Sequence, residues 1–170
     1  MNPMRNIRIE KITLNIGAGT DQDVMKRGIK LIELLTGKTP VKTTTQKRIP
    51  GWNLRPGLPI GCKLTLRNEE AEAILKRLLT AKENKLKKSC FDSNGNISFG
   101  LSEYIDVPGL NYDPAIGVIG LETSVTLERP GFRIKKRKLE CKKLPKKHKI
   151  TQDEAIVYFK KDFNVLVEEN

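Results

Sequence analysis

The chain reads as an α+β fold: a single domain whose antiparallel β-sheet carries helices on one face and long basic loops beside them. Three observations predict it. The segments follow the order β-α-β-β-α-β-β-α. The strand-like ones alternate apolar and polar residues, which suits a sheet with one face on a core and the other open. The 170 residues, 38% of them hydrophobic, suffice for one core and are too few for a large barrel or a two-domain dinucleotide enzyme.

Ile7 and Ile9, then Ile12, Leu14 and Ile16, form the first strand, and the change of phase between them predicts a bulge near Glu10 and Lys11. Gly17-Ala18-Gly19 ends it. Thr20 or Asp21 caps a helix carrying Val24, Met25, Ile29, Ile32 and Leu35 at helical spacing, and Gly37 stops it. Residues 41–45 are β-prone. In the next strand Ile60, Cys62, Leu64 and Leu66 alternate with Gly61, Lys63, Thr65 and Arg67, giving one apolar and one partly cationic face.

Asn68 is read as the cap of a second helix, with Glu69 and Glu70 in its first turn and Ala71, Ile74, Leu75, Leu78 and Leu79 along one side. Residues 82–88 show neither period. Ile97, Phe99 and Leu101 alternate after the turn Asp92-Ser93-Asn94-Gly95, and Leu121, Thr123, Val125 and Leu127 alternate in a later strand. Thr151 with Glu154 forms a capping box opening the last helix.

Two segments fit neither period. Residues 46–59 contain three Pro, two Gly, the only Trp and three basic residues, and read as a protruding loop. Residues 129–149 read as a basic extension that phosphates would help to order. Trp52 has two readings, an anchor of its loop or a platform for a base or ribose; Phe132, between Arg129 and Arg133, is a similar aromatic among cations.

The charge is regional. The chain is +12 overall, yet no acid occurs between Leu34 and Asn68, where seven Lys and Arg stand, and 129–149 carries eleven basic residues against Glu140 alone. The remainder is net −5. Long single-sign tracts repel themselves unless something anionic lies against them, so nucleic acid is the expected partner.

Catalytic and metal motifs fail on inspection. Gly37-Lys38-Thr39 imitates the end of a P-loop, but Ile32 stands where glycine is required. Gly17-Ala18-Gly19 continues to Gln22 where a dinucleotide fingerprint needs a third glycine; a turn is expected, although such a turn can meet a phosphate. His148, the only histidine, lies among lysines with no orienting carboxylate in view. Cys62, Cys90 and Cys141 form no CxxC pair and are expected to be free thiols. No enzyme activity, metal or cofactor is expected. The start lacks an apolar signal core and the longest nearly apolar run, 114–121, is too short to span a bilayer, so a soluble cytoplasmic protein with no membrane partner is expected.

Several ordered segments carry a resemblance. They are Ile9-Glu10-Lys11-Ile12 running into Leu14-Asn15-Ile16-Gly17-Ala18-Gly19, Leu35-Thr36-Gly37-Lys38-Thr39-Pro40-Val41, residues 91–100, Tyr112-Asp113-Pro114-Ala115-Ile116-Gly117, Arg129-Pro130-Gly131-Phe132 and Lys147-His148-Lys149-Ile150-Thr151. Together they resemble the universal fifth large-subunit ribosomal protein family, in its archaeal and eukaryotic-type form. The resemblance implies a structural, ribosome-bound protein that binds 5S rRNA and large-subunit rRNA in the central protuberance, beside a neighbouring 5S-rRNA-binding ribosomal protein. It also implies a loop reaching toward peptidyl-site tRNA and a surface meeting a small-subunit head protein in an intersubunit bridge.

Carried onto this chain, the resemblance puts 5S rRNA contacts at Lys11, Asn15, Gly17, Gly19, Thr39, Lys42, Thr43 and Lys63. It puts Lys47, Arg48, Trp52 and Arg55 on the tRNA-facing loop. Arg133, Lys135, Lys136, Arg137, Lys138, Lys142, Lys143, Lys146, Lys147 and Lys149 become an rRNA-packing extension. The alternative is a non-ribosomal RNA-binding or ribosome-assembly protein.

Overall fold

The computed structural model describes residues 2–168. Along the chain run β1 (Arg8–Gly17), α1 (Gln22–Thr36), β2 (Val41–Thr44), β3 (Pro59–Leu66), α2 (Asn68–Ala81), β4 (Lys85–Lys87), β5 (Ile97–Leu101), β6 (Leu121–Glu128), α3 (Gln152–Phe163) and β7 (Leu166–Glu168). Five strands form an antiparallel sheet of order β2-β3-β1-β6-β5, giving the expected α+β class. The three-residue strands β4 and β7, which the sequence pattern did not show, pair in parallel as a separate ribbon. Among the described residues, no helix is long and apolar enough to cross a membrane.

Alternation sets the strand faces. In β6, Leu121, Thr123, Val125 and Leu127 are buried while Glu122 and Ser124 are exposed; β5 buries Ile97, Phe99 and Leu101 and exposes Ser98 and Gly100. In β1, Ile9 and then Ile12, Leu14 and Ile16 are buried, with Glu10 and Lys11 both half-buried at the expected change of phase.

Helix ends follow side-chain chemistry. The Asp21 carboxylate accepts from the backbone N–H groups of Asp23 and Val24, and Gly37 ends α1 at φ +69°, a left-handed value that glycine adopts without strain. The Thr151–Glu154 capping box opens α3. Asn68 does not cap α2 as expected: the N-cap is Arg67, no side chain caps the turn, and Asn68 itself sits at φ +56° as the first helical residue.

The described residues divide into two compact units. The first draws on residues 2–12, 67–99 and 124–168; the second on Thr13–Leu66 and Gly100–Thr123. In the second, α1 packs on β3, and Gly28 allows this closeness, since a Cβ there would lie 3.1 Å from Ile16 Cγ2 and 3.2 Å from Cys62 Sγ. In the first, Phe159 of α3 stacks with Phe163 and meets Phe91 edge-on, and Ile74, Leu75, Leu78 and Leu79 of α2 are buried.

Candidate nucleic-acid interface

In the second unit, β2 and β3 pair Thr43 with Gly61 and Val41 with Lys63, so these residues share a face. A Cβ on Gly61 would lie 2.6 Å from the Ile16 carbonyl oxygen and 3.1 Å from Thr43 Oγ1. Gly61 therefore lets the strands close up at Thr43. On β1, Asn15 and Gly17 alternate with the buried Leu14 and Ile16 and so point away from the core. Asn15, Gly17, Thr43 and Lys63 thus lie on the sheet's open side, where small side chains permit close backbone approach. Lys42 pairs with the buried Cys62 and faces the other way. Thr39 and Gly19 are exposed in flanking segments; Lys11 is half-buried in the first unit.

Asn15 Nδ2 donates to Glu122 Oε2 at 2.9 Å. The carboxylate repels a phosphate at that point and welcomes a donor, such as a ribose 2′-hydroxyl. The Gly17-Ala18-Gly19 turn is structural at its centre: Ala18 N–H donates to the Ile60 carbonyl, and the Asp21 carboxylate already occupies the helix N-terminus where a phosphate would sit.

The 46–59 segment is a closed tip. Ile49 and Leu54 exchange two backbone hydrogen bonds of 3.1 Å around the short 3-10 helix Pro50–Trp52, and Thr45 is bonded to Leu58 and Gly57. Leu54 is buried, whereas Trp52 is 70% exposed. Leu54 is the anchor, so the anchoring role considered for Trp52 is overturned. Lys47, Arg48 and Arg55 are exposed on the same tip.

The basic extension is tied down by carboxylates from outside it. Arg129 is 3% exposed; its Nη2 lies 2.8 Å from Glu154 Oε1 and its Nη1 donates to the carbonyls of His148 and Lys149. Lys136 Nζ lies 2.7 Å from Glu10 Oε1 and 2.9 Å from Glu128 Oε2, and Arg8 meets Glu128 at 2.7 Å. Burial works against the charge on Glu128, yet hydrogen bonds from Lys136 and Arg8 outweigh it and hold its pKa below the ordinary value. Burial likewise opposes the Lys136 charge, but Glu10 and Glu128 raise its pKa.

Phe132 is buried, with Lys135 Nζ 5.0 Å above its ring, and His148 Nε2 lies 2.9 Å from the Pro130 carbonyl. The phosphate-dependent order expected of this tract is thereby supplied in part from within the protein. Arg133, Lys135, Lys138, Lys142, Lys143, Lys146, Lys147 and Lys149 remain exposed, and exposed Arg137 bonds to Glu140.

One cationic hollow went unread in the sequence. Lys26, Arg27 and Lys30 of α1 surround a cavity of about 290 Å³ beside Ala115, with Asp23 as its one acid, paired to Lys26 at 3.0 Å. Their i, i+1, i+4 spacing on a helix was the available signal. This arrangement of cations, small polar residues and a tight loop suits a polyanion read by shape.

Comparison with known proteins bears on the RNA-binding readings. Residues 2–55 match the family described as ribosomal protein L5, and residues 59–158 match the model of that ribosomal family's C-terminus. The chain belongs to the ribosomal L5 family. It is 45% identical over 168 residues to the large ribosomal subunit protein uL5 of Methanosphaera stadtmanae, covering 99% of this chain and all of that protein. It is 46% identical to its Nanoarchaeum equitans counterpart, over 98% of each chain, and 43% identical to that of Methanobrevibacter smithii, over 97% of each. The archaeal and eukaryotic-type form is thus shown, and L5-family proteins are structural ribosomal proteins without catalytic activity. The two family matches meet between Arg55 and Pro59, at the end of the Trp52 tip.

Proposed function

We propose that this L5-family chain is a structural constituent of the large ribosomal subunit, bound in the cytoplasm to 5S rRNA and large-subunit rRNA in the central protuberance. The observation that carries the reading is the full-length match to curated proteins of that subunit, on a chain whose excess positive charge sits in two tracts. In the second unit the 5S rRNA surface is Asn15, Gly17, Thr43 and Lys63, with Gly19 and Thr39 in exposed flanking segments; Lys42, on the opposite face of β2, and Lys11, in the first unit, contact 5S rRNA separately. Lysines neutralise phosphates, while Asn15 and Thr43 bond to sugar or backbone groups, a pattern that reads shape more than base sequence.

The exposed tip bearing Lys47, Arg48, Trp52 and Arg55 reaches toward peptidyl-site tRNA. The extension from Arg133 to Lys149 packs on rRNA. A neighbouring 5S-rRNA-binding protein and a small-subunit head protein, the latter through an intersubunit bridge, complete the set of partners. Salt-washed large subunits tested for this chain, before and after RNase, check the assignment. Retention through the wash and release by RNase are expected; absence from mature subunits would contradict it and favour an assembly factor.

A further inference from the structure

A hollow in the first unit has a composition that the phosphate-neutralising role leaves unexplained. It is a cavity of about 520 Å³, within the roughly 300–1,000 Å³ typical of small-molecule sites. Its floor is apolar: Leu127, Phe132 and Ile150 are core residues, and half-buried Leu144 stands beside them. A surface built only to meet phosphates has no use for such a floor.

Around it stand Lys135, Lys143, Lys146 and Lys149, with no acid in the lining. Two of these positions, Lys135 and Lys149, are held by contacts with neighbouring residues. Arg129 bonds to the carbonyls of His148 and Lys149, His148 bonds back to Pro130, and Lys135 sits over the Phe132 ring. Asn94 and Asn96 form the remaining wall. Their amides donate to Asp92, at 3.5 and 3.1 Å, which orients them and takes up that carboxylate. Gly95 lets their turn press on the floor, since a Cβ there would lie 2.6 Å from Ile150 Cγ2.

We propose that this cavity receives one unstacked nucleotide of ribosomal RNA, its base on the Leu127–Phe132–Ile150 floor and its flanking phosphates on the lysines. An apolar floor, oriented amides and surrounding cations match the three parts of a nucleotide: ring face, ring edge and phosphate. Lys143, Lys146 and Lys149 are spread along one segment, which suits a continuing backbone better than the single phosphate of a free mononucleotide. The inference rests on the rRNA-binding reading above.

The test uses the full chain and three forms of one RNA hairpin: fully paired, with a single-nucleotide bulge, and with that bulge abasic. The bulged form is expected to bind roughly tenfold tighter than the other two, the scale of one base stacking contact. Leu144→Ser, which thins the half-buried wall, and Asn94→Trp, which fills the cavity from an exposed turn, should each erase that preference and leave paired-hairpin affinity unchanged. Equal affinity for all three hairpins would overturn the nucleotide site while leaving rRNA binding standing. Failure of every hairpin and of 5S rRNA to bind would overturn both readings. Displacement of the bulged hairpin by equimolar AMP or UMP would show a free nucleotide as the occupant and overturn the RNA assignment.

Discussion

Arg129 Nη2 lies 2.8 Å from Glu154 Oε1, which ties the first cation of the basic extension to the opening turn of α3. Because Arg129 is almost wholly buried, this cation belongs to the fold and is withheld from RNA. Burial opposes the Glu154 charge most strongly, but the hydrogen bond and charge of Arg129 together with the hydrogen bonds of Thr151 outweigh it and keep the Glu154 pKa below its ordinary 4.5.

Glu154→Gln isolates that pairing, since glutamine can still close the capping box with Thr151. Stability near neutral pH should fall by about 1–3 kcal/mol, the scale of leaving a buried polar partner unsatisfied. Because the folded pKa is depressed, the contribution is present above the unfolded value and lost as pH falls through the folded one. Urea unfolding across the acid range should therefore show parent and variant converging as pH drops.

Lys136 and Lys147 separate structural from RNA-facing charge. Lys136→Ala leaves Glu10, 8% exposed at its side chain, and Glu128 without their shared cation. It should cost about 1–3 kcal/mol in urea unfolding. Lys147 is exposed, so Lys147→Ala should cost less than about 0.5 kcal/mol. Its effect should appear in RNA binding, where the log–log salt slope should shrink by roughly one.

Two glycines on the open side should respond oppositely. Gly61→Ala forces a Cβ to 2.6 Å from the Ile16 carbonyl, and the variant should lose about 1–3 kcal/mol in thermal or urea unfolding. At Gly17 a Cβ meets nothing within 4 Å, so Gly17→Ala should keep its stability. A loss of 5S rRNA affinity in this stable variant would show that RNA approaches the backbone there.

Trp52→Ala should change stability by less than about 0.5 kcal/mol because the indole is exposed, whereas Leu54→Ala should loosen the tip. If Trp52 is a platform, its loss should weaken peptidyl-site tRNA retention on ribosomes that carry the variant. Proteolysis of the isolated protein checks the first half and tRNA dissociation the second.

Short-range signals were legible and long-range pairings were not. Asp21, Gly37, the Thr151–Glu154 box and the phase change in β1 are local decisions between neighbouring residues, and each appears in the structure. Lys85–Lys87 and Leu166–Glu168 are too short to show a period, and they become strands only by pairing with each other across some eighty residues. Glu10 and Glu128 looked like ordinary alternating polar positions; their hold on Lys136 exists only after folding. Counting charge along 129–149 found the tract but could not show that Arg129 is buried and that Lys136 is ion-paired to Glu10 and Glu128. At the sheet, alternation placed Asn15, Gly17 and Lys63 on the open side, while β2 is too short for its sequence to reveal that Lys42 faces away.

The most direct test is a salt series of binding to 5S rRNA beside an unrelated RNA of equal length. Specific recognition built on phosphate neutralisation predicts tighter binding to 5S rRNA at every salt concentration, with affinity for both falling linearly on log–log axes. Equal affinity for the two RNAs would contradict specific recognition, and a flat salt dependence would contradict phosphate neutralisation.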